Sequence, residues 1–180
     1  MTHNSTVKAS IVTVVFAAFG VAGLLRNDLV LFPELAILYL LLLAHTFLSV
    51  RCFSALIDPK DKGQIAIDLV LVACYLMLGL TVKTSEFLVW WLVLFLFAAV
   101  KYALLVGRFH YPILLRRKLL ADLSGLGLGL FAFFIPFYEE RFGLATFLMA
   151  VWLIVGLFAA GTIYYFFVRP LYVPDKLSAL

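Results

Sequence analysis

Ionisable side chains interrupt the apolar stretches of this chain at Glu34, His45, Asp68, Lys101 and Asp122. Such groups are costly in hydrocarbon, so they usually face a bundle interior or water, pair with one another, and mark pathways for ions and protons. Imidazole changes its charge between about pH 5 and 8, so a histidine beside carboxylates suits proton transfer. The residues therefore predict a site that binds or passes an ion, a proton or a small solute.

The elements that carry these residues are apolar segments close to the ~20 residues that a helix needs to cross a membrane. We predict six spans, at about 9–25, 30–50, 65–82, 87–106, 119–138 and 143–168, in a single integral membrane domain covering residues 1–180. Hydrophobic residues make up 66% of the 180 residues and charged residues 13%. Soluble domains have about 45–50% apolar and about 25% charged residues, so this composition excludes a water-soluble fold.

The basic residues predict the orientation, because cationic loops stay on the cytoplasmic side during insertion. One set of segment ends carries Lys8, Arg51, Lys60, Lys62, Arg108, Arg116, Arg117, Lys118, Arg169 and Lys176, and the other carries Arg26, Lys83 and Arg141. We therefore expect an all-α, multi-pass bundle of three helical hairpins with both termini cytoplasmic. In a bacterium it would lie in the plasma or inner membrane. Retention of cationic loops also explains the net charge of +4, so nucleic acid is not an expected partner.

Helical phase and depth predict which ionisable residues meet. Glu34 and His45 are 11 residues apart and share one helix face at 100° per residue. Counted from the cytoplasmic ends, His45, Asp68, Lys101 and Asp122 all lie within about two turns. They would form one charged layer drawn from four helices, with Asp68–Lys101 as the preferred ion pair. Glu34 would be an acceptor nearer the outer side.

Each residue also has a simpler structural interpretation. Lys101 can extend its ammonium to the headgroups. Asp68, Asp122 and Glu34 can stabilise the N-terminal ends of their helices. His45 can be a hydrogen-bonded structural residue.

Small residues spaced four apart predict close helix packing, either within the bundle or between subunits. The pairs are Gly125/Gly129, Ala18/Ala22 and Gly156/Ala160. The basic cluster Arg116, Arg117 and Lys118 would contact anionic headgroups, at about 1 kcal/mol per cation. An ordinary cytoplasmic anchor is the simpler interpretation of this cluster.

Other chemistries are not indicated. Of the three histidines only His45 lies inside a predicted span, whereas a haem held by two membrane histidines needs a second one at matching depth. The sequence has no phosphate-binding glycine loop followed by lysine and no nucleophile elbow of a serine hydrolase. We therefore expect no catalytic residues, no cofactor and no metal site, and the chain is more typical of a non-enzyme.

The leading hypothesis is a small channel or transporter with the bilayer and a second copy, or another membrane protein, as partners. The alternative is a non-catalytic membrane subunit that packs against larger proteins through its small-residue faces. A third possibility is a lipid-handling protein that uses residues 116–118.

Overall fold

The computed structural model describes residues 2–26, 33–54, 61–82, 84, 86–107, 112–142 and 144–168. Their side chains are described from residue 5 onward, except at 33, 112–113, 135–142, 144–148 and 166. The helices in these ranges are α1 (Thr2–Arg26), α2 (Pro33–Phe53), α3 (Lys62–Leu80), α4 (Glu86–Val106), α5 (Pro112–Phe142) and α6 (Leu144–Ile163). A π-helical segment, Tyr164–Val168, continues α6.

Four helices in the described part of the chain are long and apolar enough to cross a membrane: Ser5–Arg26, Glu34–Phe53, Lys62–Leu80 and Glu86–Val106. Helix α6 contains a shorter apolar stretch. Twenty helical residues rise about 30 Å, which matches the hydrocarbon thickness of a bilayer. The expected all-helical architecture is confirmed, and its apolar helices fit a membrane location.

Helix α5 differs most from its predicted span. The predicted span is 119–138, whereas the helix covers Pro112–Phe142. Proline is favoured in the first turn of a helix, where its missing N–H leaves nothing unpaired, so Pro112 begins the helix instead of interrupting a linker. The predicted turn at 139–141 is helical too. The basic cluster at 116–118 consequently belongs to a helix.

The other helices begin and end closer to their predicted bounds, except that α1 begins at Thr2 rather than near residue 9.

Helix α3 begins with a regular N-cap, in which the Asp61 carboxylate accepts hydrogen bonds from the backbone N–H groups of Gly63 and Gln64 at 2.9 and 3.3 Å. The described residues do not include residues 27 and 28 of the first hairpin tip, predicted at 26–28, residues 55–60 and 108–111 between predicted spans, or the C-terminal residues 169–180.

The helices pack side by side in a closed ring. Helix α1 contacts α2 and α3, α4 contacts α3 and α5, and α6 contacts α5 and α2. The largest group of buried apolar side chains includes Phe16 of α1, Leu42 of α2, Leu78 of α3, Trp91 of α4 and Phe158 of α6. A ring of this kind turns one face of every helix towards its centre.

Glycines allow α1, α2 and α3 to approach closely. Gly23 of α1 lies directly against the backbone at Gly79 of α3. A Cβ atom at Gly79 would lie 2.8 Å from Tyr39 Oη and 2.9 Å from the backbone nitrogen of Gly20. Tyr39 Oη donates a 2.6 Å hydrogen bond to the carbonyl of Phe16. Helices α1 and α3 are therefore in contact through their backbones, and α2 contacts both through the side chain of Tyr39.

Gly125 and Gly129 of α5 perform the same task against α4. A Cβ atom at Gly125 would overlap the ring of Phe95, and one at Gly129 would overlap Trp91. The Trp91 indole donates a 3.0 Å hydrogen bond to the carbonyl of Gly125. This small-residue pair therefore packs against aromatic rings of the same chain.

The other two small-residue pairs face outward. Ala18, Ala22, Gly156 and Ala160 are all exposed, and a Cβ atom at Gly156 would meet nothing within 4 Å. Gly156 therefore makes no close helix contact within the described part of the chain, and the three alanines lie on exposed faces of α1 and α6. Their packing against another molecule stays a prediction.

We expect Gly79→Ala to lower the free energy of unfolding by about 1–3 kcal/mol, the usual cost of overfilling a packed site. The added methyl group would press on the α1 backbone as well as on Tyr39. Thermal unfolding in detergent, followed by circular dichroism, measures the effect. Gly127→Ala is the matched control, since Gly127 is exposed on α5 and an added methyl group there would meet nothing within 4 Å. Equal melting temperatures for the two variants would contradict the close approach of α1 and α3.

Candidate functional site: a charged cavity inside the helix ring

A cavity of about 300 Å³ lies inside the ring, with walls contributed by α1 to α5. Its charged and imidazole side chains are His45, Asp68, Lys101, Lys118 and Asp122. The rest of its wall is aromatic, aliphatic or hydroxyl-bearing. Charges of both signs thus converge on one space within an otherwise apolar protein.

An ion pair between α3 and α4 lies at the open side of the cavity. Lys101 Nζ donates to Asp68 Oδ1. The Asp68 side chain is 41% exposed, whereas that of Lys101 is only 7% exposed. The carboxylate therefore reaches the surroundings of the protein while its ammonium partner faces inward.

A second ion pair lies deeper and is formed within α5. Lys118 Nζ donates to Asp122 Oδ1, and the two side chains are 4% and 1% exposed. Lys118 Nζ also lies 3.3 Å from His45 Nε2. Because an ammonium has donors but no acceptor, Nε2 must be the unprotonated nitrogen, so the neutral imidazole carries its proton on Nδ1. Phe158 of α6 supports the His45 ring, with 5.9 Å between the centroids.

Tyr102 connects the two ion pairs. The centroid of its ring lies 5.0 Å from Lys118 Nζ and 6.0 Å from Lys101 Nζ. Both distances are within the range in which an ammonium is attracted to the face of an aromatic ring. Phe53 packs against the same tyrosine, with 4.8 Å between ring centroids. Tyr102 therefore gives each lysine a further favourable contact besides its carboxylate.

Another part of the wall is made of paired hydroxyl groups and a stacked ring. Thr46 Oγ1 donates to the Leu42 carbonyl at 2.8 Å and is also hydrogen-bonded to Tyr75 Oη. A hydroxyl has one proton, so Tyr75 is the donor in the second bond. Tyr75 stacks on Phe16, with 4.4 Å between ring centroids and 9° between planes. The hydroxyl protons of Thr46 and Tyr75 are therefore both already engaged.

The cavity wall has buried polar atoms that could take a further hydrogen bond. Asp122 Oδ2 and Ser49 Oγ are buried without a hydrogen-bond partner among the described residues. A buried polar atom normally has a partner, because an unmade hydrogen bond carries the full cost of desolvation. These two atoms are therefore where the wall can receive a further hydrogen bond.

Four of the five sequence-predicted ionisable residues meet at this cavity: His45, Asp68, Lys101 and Asp122. Glu34 does not line it, although it is buried at 6% exposure. Eleven residues of helix separate Glu34 from His45, a rise of about 16 Å. Glu34 was expected nearer the outer side, and this separation along α2 keeps it away from the charged residues around His45.

Lys118 is the charged cavity residue that the sequence did not predict. The sequence places it at the headgroups with Arg116 and Arg117, which are indeed exposed, whereas Lys118 is 3% exposed. The reason is the early start of α5, which places Lys118 one turn before Asp122 on the same inward face. Lysine and aspartate four residues apart are neighbours on a helix, and Pro112 as a helix start was the signal that could have revealed this.

No protein-family model, curated protein or solved structure matches this chain. Within the described ranges no three His, Cys, Asp or Glu side chains are grouped as ligands for a metal ion. Any functional conclusion therefore has to come from the cavity itself. Its chemistry is hydrogen bonding and charge pairing at the deep end, with apolar contact along the walls.

We expect Lys118→Met to destabilise the protein by about 3–5 kcal/mol, because it leaves the Asp122 carboxylate buried without its partner. Arg117→Met, at the exposed neighbouring position, should change stability by no more than about 0.5 kcal/mol. The double variant Lys118→Met/Asp122→Leu should recover most of the loss, since two apolar groups can replace a buried pair. Chemical unfolding in detergent measures all three. Equal effects of the two single substitutions would show that Lys118 is not inside.

Proposed function

We propose that this protein is a small multi-pass membrane channel or transporter for an ion, a proton or a small solute. The observation that carries the proposal is the convergence of Asp68, Lys101, Lys118, Asp122 and His45 on one cavity of about 300 Å³. Ionisable residues among apolar helices usually face the interior or a water-filled space and mark a transport path. A protein that served only as a hydrophobic anchor would have no need of them.

The proposed arrangement in the membrane is six spans forming three hairpins, with both termini in the cytoplasm. Ten lysines and arginines flank the ends assigned to the cytoplasm and three flank the others, as retention of cationic loops requires. The contacts of α1 with α2, α3 with α4 and α5 with α6 are compatible with these hairpins. Asp68 then lies about 9 Å into α3 from its cytoplasmic end at Lys62.

Within this proposal the two ion pairs have different roles. Asp68 and Lys101 belong to different helices and lie at the exposed mouth, so their separation would open the cavity and their association would close it. Lys118, Asp122 and His45 form the floor, where the transported species would rest. Tyr102 lies between mouth and floor.

A flux measurement in proteoliposomes tests the proposal. Proton movement is followed with an internal pH-sensitive dye, and solute movement is followed by the swelling of the vesicles in small uncharged solutes. We expect flux above that of empty vesicles, and a change of about tenfold in rate for Asp68→Asn, equivalent to about 1.4 kcal/mol of barrier. Glu86→Gln, an exposed carboxylate at the start of α4, should behave as wild type.

The outcome that removes the proposal is a flux no faster than that of empty vesicles for protons and for all solutes tested. An Asp68→Asn variant with wild-type flux would leave transport in place but remove the mouth pair from its mechanism.

A second candidate function is a non-catalytic membrane subunit, and the exposed pairs Ala18/Ala22 and Gly156/Ala160 favour it. Small residues on an outward helix face let a partner helix approach closely. Co-purification of a stoichiometric membrane protein that is lost in Ala18→Leu/Ala22→Leu would support this function. Gly125 and Gly129 cannot serve in that experiment, because they are packed against Phe95 and Trp91 of the same chain.

A further inference from the structure

We propose that the species held in the cavity is a small organic molecule without net charge, carrying an O–H or N–H donor on an apolar body. This inference rests on the proposed function and narrows its substrate class. Three features of the cavity lead to it: the hydrogen-bonding atoms that the wall leaves unused, the balance of charges, and the composition of the walls.

The unused atoms call for a hydrogen-bond donor. Asp122 is 1% exposed, and its Oδ1 atom is occupied by Lys118 while Oδ2 has no partner among the described residues. An ionised carboxylate can only accept, so a ligand must present an N–H or O–H to Oδ2. Ser49 Oγ, which lines the same cavity and is also buried without a described partner, can donate to a ligand or accept from it.

The charges already cancel, which disfavours an ion. Asp68 and Asp122 balance Lys101 and Lys118, and each carboxylate is paired. A charged ligand would add an uncompensated charge to a low-dielectric site, and the penalty for doing so exceeds the return from one hydrogen bond. A neutral donor avoids this penalty and still forms a charge-assisted hydrogen bond with the carboxylate.

The walls suit an organic body. Phe16, Phe53, Leu94 and Phe95 line much of the cavity, whereas a bound inorganic cation takes several oxygen ligands around it. The volume of about 300 Å³ is roughly twice that of an apolar cavity known to hold benzene. A single aromatic or branched aliphatic group with a short polar arm therefore fits.

The test is isothermal titration calorimetry on the purified full-length protein in detergent, with four probes that share one ring. They are 2-phenylethanol, its methyl ether, which has no donor, 2-phenylethylamine, which is cationic, and 3-phenylpropanoate, which is anionic. We expect 2-phenylethanol to bind best and each of the other three to bind about tenfold more weakly, a difference of about 1.4 kcal/mol. Equal or tighter binding of the amine or the acid would overturn the inference, as would the absence of binding by 2-phenylethanol.

Variants locate the binding. Ala98→Phe fills the cavity from α4 and should abolish binding of 2-phenylethanol, while Ala103→Phe, on the exposed face of the same helix, should not. Ser49→Ala keeps both ion pairs and should weaken binding about threefold to tenfold, the worth of one hydrogen bond. Ser124→Ala, exposed on α5 with its hydroxyl on the Leu120 carbonyl, is its control. Binding that is unaffected by Ala98→Phe would place the probe in the micelle and overturn the inference.

The two proposals fail separately. Proton flux in vesicles without binding of 2-phenylethanol would retain the transport function and remove this substrate class. Binding that depends on Ser49 and Ala98, without any flux, would retain the ligand class and remove transport.

Discussion

The cost of keeping charge away from water governs this structure. Lys118 and Asp122 are both almost fully enclosed, and each ion alone would carry a desolvation penalty of several kcal/mol. Their pairing is supplemented by His45 Nε2 and by the face of Tyr102. The elements around them must hold all four groups in place, because any gap between the partners would expose a bare charge to hydrocarbon.

Close contacts between the helices of the ring hold these groups in position. Gly125 and Gly129 bring α5 onto the Phe95 and Trp91 rings, and the Trp91 indole fixes the height of α5 by its bond to the Gly125 carbonyl. Asp122 is one turn from Gly125, so the packing that sets the position of α5 also sets that of the carboxylate. The close approach of α1 and α3 at Gly23 and Gly79 holds two further helices of the ring together.

Much of the fold and of the candidate site could be predicted from the sequence, and there are physical reasons why the rest could not. Apolar runs of membrane length predicted the helices, and the rise per residue placed Asp68 and Lys101 at one depth on neighbouring spans. Glu34 was predicted to share the face of His45 but to lie nearer the outer side, and it does not line the cavity. Helical period gives the direction of a side chain, whereas the separation along the axis decides whether two residues meet. Lys118 was assigned to a linker because the boundary of α5 was drawn where hydropathy rises, seven residues after the helix begins at Pro112.

The two ion pairs differ in how they are built, and this difference determines how each responds to motion. Lys118 and Asp122 lie on one helix, four residues apart. When α5 tilts or slides, both residues move together and their ion pair stays intact. Asp68 and Lys101 lie on two different helices. When α3 and α4 slide past each other, the distance between the two charged groups changes. The Lys118–Asp122 pair is therefore insensitive to movement of α5 as a whole, whereas the Asp68–Lys101 pair depends on the relative position of α3 and α4.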